Sequence, residues 1–415
     1  MTNRIGLLFR VFIPFALGYF LSYLYRTVNS IIAPDLIRDI GLDPANLGLL
    51  TSVYLLAFGL FQLPLGLLLD RFGPRRVEAS LLLVAAAGAF IFSQSTTLSG
   101  LITGRALIGL GVSACLMAAF KSFALWFPPE RLPLANAIQM ISGGLGAMAA
   151  TSPVEAALKF TDWRGIFFVF SLCTLLTAAI IFWVVPEKES TQSNESLGDQ
   201  LRGIGTILRS RYFWSLAPWA LFAQAAYLSI FGLWSGPWLR DVAGQDRDSI
   251  ASTLFLVGIT MIAGYFASGT ITDRLSRRGI APMKVASTGM LLFIGAQGMM
   301  LFPIPELTTV YWLLFSFFGA FCILPYAVLA QHFPARLTGR ATTALNLLVF
   351  IAAFGAQWGI GIIINQWPET ETGGYALEGY QASFGLLIAL QLLAVAWYLF
   401  SHRQTNRAAQ TVRPG

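Results

Sequence analysis

Charge is what this sequence has least of. Asp, Glu, Lys and Arg make up 11% of its 415 residues, while 56% are hydrophobic; soluble domains carry about 25% charged residues. A chain so poor in charge cannot cover a water-facing surface, so most of it belongs in a lipid bilayer. Histidine and cysteine are also scarce, at two and three residues. Cys115, Cys173 and Cys322 all fall within apolar runs. Their odd number supplies no disulfide framework and their spacing no metal site, so they read as small core residues, and no cofactor is expected. His332 and His402 fall at the ends of apolar runs, as interfacial residues do. A Walker loop, a nucleophile elbow and a Gly-rich dinucleotide turn followed by an acid are all missing. Those absences leave no sign of an enzyme.

What is present is a series of apolar runs, each near the ~20 residues that a membrane helix needs. Six fall at 8–34, 45–69, 77–96, 99–126, 134–157 and 164–185, numbered here as spans 1 to 6. The polar stretch 186–211 follows, then spans 7 to 12 at 212–239, 250–272, 283–303, 307–331, 340–366 and 380–401. The basic start, MTNRIGLLFRVF, leads into a run without a small-residue cleavage site, so it reads as a retained helix. Nineteen Lys and Arg residues fall at the termini and on loops of the same side, five on the other side, and three within spans. That imbalance places both termini in the cytoplasm, as in a multi-pass protein of the bacterial inner membrane. It also accounts for the net charge of +7 without a nucleic-acid partner.

The two halves repeat. GLLLDRFGPRR (66–76) follows span 2, and GTITDRLSRRG (269–279) follows span 8, at an offset of 203. WFPPERLPLANAI (126–138) follows span 4, and HFPARLTGRATTALN (332–346) follows span 10, with Phe-Pro pairs offset by 206. Two unrelated loop motifs at nearly one offset indicate internal duplication, and duplicated halves around a central site are a transporter architecture. The predicted fold is all-α: twelve transmembrane helices in two six-helix, pseudo-symmetric bundles around a central cavity. The bundles fall at 1–185 and 212–402, with a cytoplasmic linker at 186–211 and a tail at 403–415. In the loops, Asp70 suits helix capping, Arg71, Arg75 and Arg76 suit helix-end carbonyls and acids, and Gly66 and Gly73 suit tight turns. The loop is either a latch for the conformation closed on the cytoplasmic side or a topological anchor.

These residues resemble the major facilitator superfamily. Its loop between helices 2 and 3 matches Gly66, Asp70, Arg71, Gly73, Arg75 and Arg76, and its weaker second copy matches Gly269, Asp273, Arg274, Arg277 and Arg278. Its helix 4 pattern matches Arg105, Gly109 and Gly111. Tyr23, Arg26, Asn29, Ala33 and Pro34, with Trp126–Ala137 and DWRGIFF at 162–168, are similar to the anion:cation symporter and organic anion branches. The resemblance implies alternating access and import of an organic anion. Proton-coupled members place acids where this chain has Tyr25 and Val112, so coupling to a proton or sodium ion, or exchange against another anion, stays open.

Charges inside the membrane carry the functional reading. Tyr19, Ser22, Tyr23, Arg26, Asn29 and Ser30 share one face of span 1 by their spacing of three and four. An intramembrane cation should face the bundle interior, and a guanidinium fits carboxylates, so Arg26 is expected to clamp an anionic substrate. Arg105 reads as a packing or gating residue. Lys121 either snorkels to the interface or makes a second anion contact. Tyr54, Gln62, Gln139, Gln224, Tyr227, Trp234, Asn346, Phe350 and Gln357 complete the candidate wall. Glu155 is the one acid expected clearly within a span, and therefore the candidate for coupling; Glu78 reads as opening span 3. With three basic residues against one acid, the missing negative charge is expected from a small anionic solute. The alternatives are an exporter of amphipathic compounds and a transporter-like sensor. A monomer in the bilayer is expected.

Overall fold

The computed structural model describes residues 4–187, 197–370 and 373–411. The linker residues 188–196, including Lys188, and the tail from 412, including Arg413, lie outside the described residues. Among those described there is helix and connecting loop but no strand. Nine helical stretches hold an 18-residue window apolar enough to cross a membrane. One of them, Pro44–Gln94, holds two spans. Gly73 interrupts it with φ 77° and ψ 158°, a conformation that favours glycine. The halves on either side lie next to the same helix: a Cβ on Gly109 would collide with the Tyr54 carbonyl, and one on Gly111 would meet Leu81 O at 2.6 Å. Residues 44–72 and 74–94 are thus antiparallel neighbours, spans 2 and 3.

The twelve spans form two six-helix bundles, joined by the amphipathic linker helix Leu197–Leu208. The most regular are span 6 (Trp163–Val184), span 8 (Arg247–Ser276), span 9 (Pro282–Met299), span 11 (Ala335–Ile364) and span 12 (Leu377–Thr411). Every third span is broken near its middle. Span 1 divides at Val28 into Ile13–Thr27 and Asn29–Ile40. Span 4 divides at 112–114 into Leu98–Gly111 and Cys115–Trp126. Span 7 loosens into a π-turn at Ile230–Trp234, and span 10 tightens into a 3-10 turn at Ala320–Ile323. The irregular segments sit at corresponding places in the duplicated halves, as in carriers built from discontinuous helices around a midplane site.

Local chemistry accounts for most of the breaks. Pro237 and Pro325 cannot donate backbone hydrogen bonds to Leu233 and Phe321, which frees the helix just before each. In span 4 the Ser113 carbonyl is turned out of the helix and accepts a bond from Gln62 Nε2 at 3.0 Å. Span 5 also has a step, between Leu132–Ala149 and Ser152–Leu158, beside Pro153.

Backbone-to-backbone packing at glycine holds the bundles tight, since apolar burial gives helices little reason to associate in lipid. A Cβ on Gly109 leaves no room short of moving span 2, whereas one on Gly295 of span 9 meets nothing within 4 Å. Gly109→Ala should therefore cost about 1–3 kcal/mol as a steric insertion. Thermal unfolding in detergent should show a lowered Tm for Gly109→Ala and none for Gly295→Ala. Equal Tm values would remove the close-packing account.

Candidate functional site

Between the bundles lies a cavity of about 630 Å³, within the range of small-molecule sites. Span 1 gives it Tyr19, Ser22, Tyr23 and Arg26, and span 2 gives Phe58 and Gln62. Gln224 and Leu228 of span 7, Tyr265 of span 8, and Asn346 and Phe350 of span 11 line the other wall. From Arg26 the lining continues along Phe120, Gly269 and Thr342, toward the ends of spans 4, 8 and 11 on the side of the termini.

Arg26 is buried, at 9% exposure. Its guanidinium carbon lies 4.6 Å from the Tyr23 ring centre, 5.0 Å from Phe58 and 5.6 Å from Phe350. Aromatic faces at such distances attract a cation by roughly 0.5–2 kcal/mol, short of what losing bulk water costs. Its Nε has no hydrogen-bond partner, and no carboxylate pairs with it, among the described residues. The ring of Phe350 comes from the second bundle, so the cup around the cation is closed by both halves.

The other two intramembrane cations are placed differently. Arg105 is fully buried outside the cavity, its Nη1 donating to the Tyr25 carbonyl at 2.9 Å and its guanidinium 5.1 Å from the Tyr54 ring. Lys121 does not line the cavity: its ammonium pairs with Asp70 and donates to the Leu69 carbonyl at 2.7 Å. The first loop motif is thereby pinned to span 4. Arg75 Nε donates to the Phe182 carbonyl at 2.7 Å, and Arg76 pairs with Glu187 at 2.6 Å. In the second copy Asp273 pairs with Arg277 at 3.0 Å. All these contacts stay within one bundle.

Several residues expected in the wall stand behind it. Asn29 donates to Thr51 at 2.8 Å, Tyr54 to the Ser22 carbonyl at 3.0 Å, and Gln139 to the Phe15 carbonyl at 3.1 Å. Each ties span 1 to a neighbour, so the face predicted from spacing is shared between cavity and packing. Tyr227 stacks on Phe231 and Phe315, and the Gln357 carbonyl accepts from Trp234 at 2.9 Å. Tyr25 turns away from the cavity, its hydroxyl 2.9 Å from Thr174 Oγ1.

The acids depart most from the sequence expectation. Glu155, expected as the acid near the outer end of span 5, lies at that far end but is ion-paired. Arg247, at the start of span 8, grips Asp35 with Nη1–Oδ1 at 3.0 Å and Nη2–Oδ2 at 2.8 Å, and holds Glu155 with Nε–Oε1 at 3.0 Å. Both carboxylates are 8% exposed and belong to the first bundle, so the cluster ties the bundles together. Lys159 and Asp248 add a second inter-bundle pair at 2.7 Å; the bond and charge of Asp248 hold that ammonium above the usual lysine range. Nearby, a Cβ on Gly236 would collide with the Ser30 carbonyl, which Pro34 leaves without its helical donor. The far end is closed. Glu78 does not open span 3 at a membrane surface: it is wholly buried against span 1.

A duplicated helical fold with a central cavity between two bundles, closed at one end, defines a membrane transporter rather than an enzyme. The sequence profile of the Major Facilitator Superfamily matches residues 15–357. The chain belongs to that superfamily. It is 26% identical over 398 residues to the probable sulfoacetate transporter of Cupriavidus necator, covering 91% of both chains. The hexuronate transporter of Escherichia coli is 21% identical, covering 95% of this chain and 94% of that one. The probable L-galactonate transporter of the same organism is 24% identical over 83% and 80%. Among solved structures, a bacterial homologue of the human lysosomal transporter Spinster, inward-facing and unoccupied, superposes with a TM-score of 0.76 at 17% identity, covering 94% and 96%. That likeness concerns the fold.

Sequence reasoning missed Asp35 and Arg247, because one sits just past an apolar run and the other just before one, where charge is ordinary. It also missed Tyr265, one of several hydroxyl residues in an apolar span. Removing the shared cation with Arg247→Ala should open the far end. In protein whose exposed Cys173 is replaced by alanine, Ser30→Cys should react with an impermeant maleimide about fivefold faster or more once Arg247 is lost, the lower end of ordinary conformational coupling. Unchanged labelling would mean that the cluster does not hold the closure.

Proposed function

We propose that this protein imports a small organic anion bearing a carboxylate across the bacterial inner membrane by alternating access, with both termini cytoplasmic. The observation that carries the proposal is Arg26, a cation facing the cavity with no acid among the described residues to neutralise it. A charge-assisted, bidentate bond from its fork would supply what the protein withholds. The second bundle adds only neutral groups to the lining: Gln224, Tyr265, Asn346 and Phe350. A solute with one anionic end and an uncharged, hydrogen-bonding remainder fits that division. The names of the relatives, a probable sulfoacetate transporter, a hexuronate transporter and a probable L-galactonate transporter, favour the same class.

In this reading the closed far end and the cavity reaching toward the termini make the present conformation the inward-facing one. The two loop motifs, held within their own bundles here, become the latch when the cytoplasmic side closes. Glu155 then serves the far-side closure through Arg247. The transporter acts as a monomer, driven by an ion gradient or by exchange.

Uptake of labelled glucuronate, galactonate and sulfoacetate into proteoliposomes tests this. Losing one partner of a buried charge pair costs about 2–5 kcal/mol, so Arg26→Ala should lower uptake by at least about thirtyfold for whichever anion is carried. Arg26→Lys, which keeps the charge but not the fork, should retain a measurable fraction. Normal transport by both variants would remove the clamp.

A further inference from the structure

Among the described residues, Glu78 is a buried acid that neither the clamp nor the closures use. It lies one turn into span 3, is 0% exposed, and neither carboxyl oxygen has a hydrogen-bond partner among the described residues. Three spans meet there. A Cβ on Gly18 of span 1 would collide with Glu78 Oε1 and lie 3.6 Å from Cys115 Sγ of span 4. The facing groups are therefore a glycine and a thiol. No cation bonds to Glu78 among the described residues. Arg26 is eight residues from Gly18, about 12 Å along the helix at ~1.5 Å per residue. Arg105 bonds to Tyr25, Lys121 to Asp70, and Arg76 to Glu187.

An ionised carboxylate cannot be held there. Desolvating a charge with no counter-ion and only the weak thiol donor of Cys115 beside it costs several kcal/mol, so this conformation favours the neutral acid. A leucine would fill the space with no polar atom to bury; what glutamate adds is an exchangeable proton. The barrier to water is thin. Cys115 is the first residue after the break in span 4, and Ser113 and Leu116 on either side of it line the cavity. Movement of that one irregular segment would hydrate the carboxyl.

We infer that Glu78 is the proton-binding site that couples solute movement to a proton gradient. Spans 1, 3 and 4 close on one another only when the carboxyl is neutral, so the conformation closed at the far end is reached with the proton bound. The proton passes between Glu78 and water in the cavity, and no other bond changes. This deepens the transport reading above and rests on it, but not on the identity of the solute.

Two measurements test it, both on the full-length protein. In proteoliposomes with the three labelled anions, Glu78→Gln, which mimics the neutral acid, should keep solute counterflow within about twofold and lose pH-gradient-driven accumulation by about tenfold or more. Retained accumulation would overturn the inference, as would counterflow lost in equal measure. The second measurement needs no solute. In the Cys173→Ala, Ser30→Cys background, maleimide labelling should rise from about pH 6 to about pH 9 at least fivefold more when Glu78 is present than when the Glu78→Gln substitution is added. Identical pH profiles would overturn the inference. If wild type moves none of the three anions while the labelling differs, the anion reading fails and the proton site stands.

Discussion

A guanidinium without a counter-ion, held where water is scarce, is the constraint around which this protein is arranged. Three cations lie within the spans, and each is accommodated differently. Lys121 has the Asp70 carboxylate and a carbonyl, and becomes part of a loop anchor. Arg105 has one carbonyl and an aromatic face, which suits a residue that fixes span 4 against spans 1 and 2. Arg26 has only aromatic rings and an open side toward the cavity. Rings hold a cation in place without neutralising it, so the site keeps its attraction for an anion. Had an acid been set beside Arg26, a substrate would have to displace it.

Mobility comes from where the helices are irregular and where they touch. Spans 1, 4, 7 and 10 are loosened near their middles, each time next to the cavity, while most of the other spans stay regular. Glycines bring spans 1 and 7, 2 and 4, and 3 and 4 into backbone contact, leaving few side chains to repack when helices tilt. The far-end closure is of a different kind. One arginine serving two carboxylates is a strong tie only while desolvated, and Arg247 is itself 40% exposed. Such a cluster can be dissolved by water once a small separation begins, which is what a reversible closure requires.

Much of this was legible in the sequence, for reasons that are physical. Bilayer thickness fixes span length, and a repeat at one offset implies paired bundles. Arg26 stood out because a cation in an apolar run is costly wherever it lands. The rest depended on facts that no local pattern carries. The spacing of Tyr19 to Ser30 put those residues on one face, yet a membrane helix with neighbours on several sides divides a face between cavity and packing; Asn29 went to Thr51. Lys121 found Asp70 across 51 positions, and Glu78 was hidden by its place just after a basic cluster, where a surface position is the ordinary expectation. Only Gly18, sixty residues earlier, leaves the space that buries it.

The division of labour between the halves sharpens the mechanism. Arg26 and Glu78 both belong to the first bundle, and neither has a counter-ion among the described residues. They are relieved in opposite ways: the cation by a ligand anion, the acid by a proton. The second bundle contributes to the cavity wall only neutral groups, and at the far end one arginine that reaches across to Asp35 and Glu155. Binding an anion at Arg26 and a proton at Glu78 each removes a reason for the first bundle to admit water. A bundle relieved of both charges can pack against its partner and turn, whereas one carrying either charge alone is held open by hydration. On the proposed roles of Arg26 and Glu78, joint movement of the two would follow from that electrostatic requirement, without any direct contact between the anion and the acid.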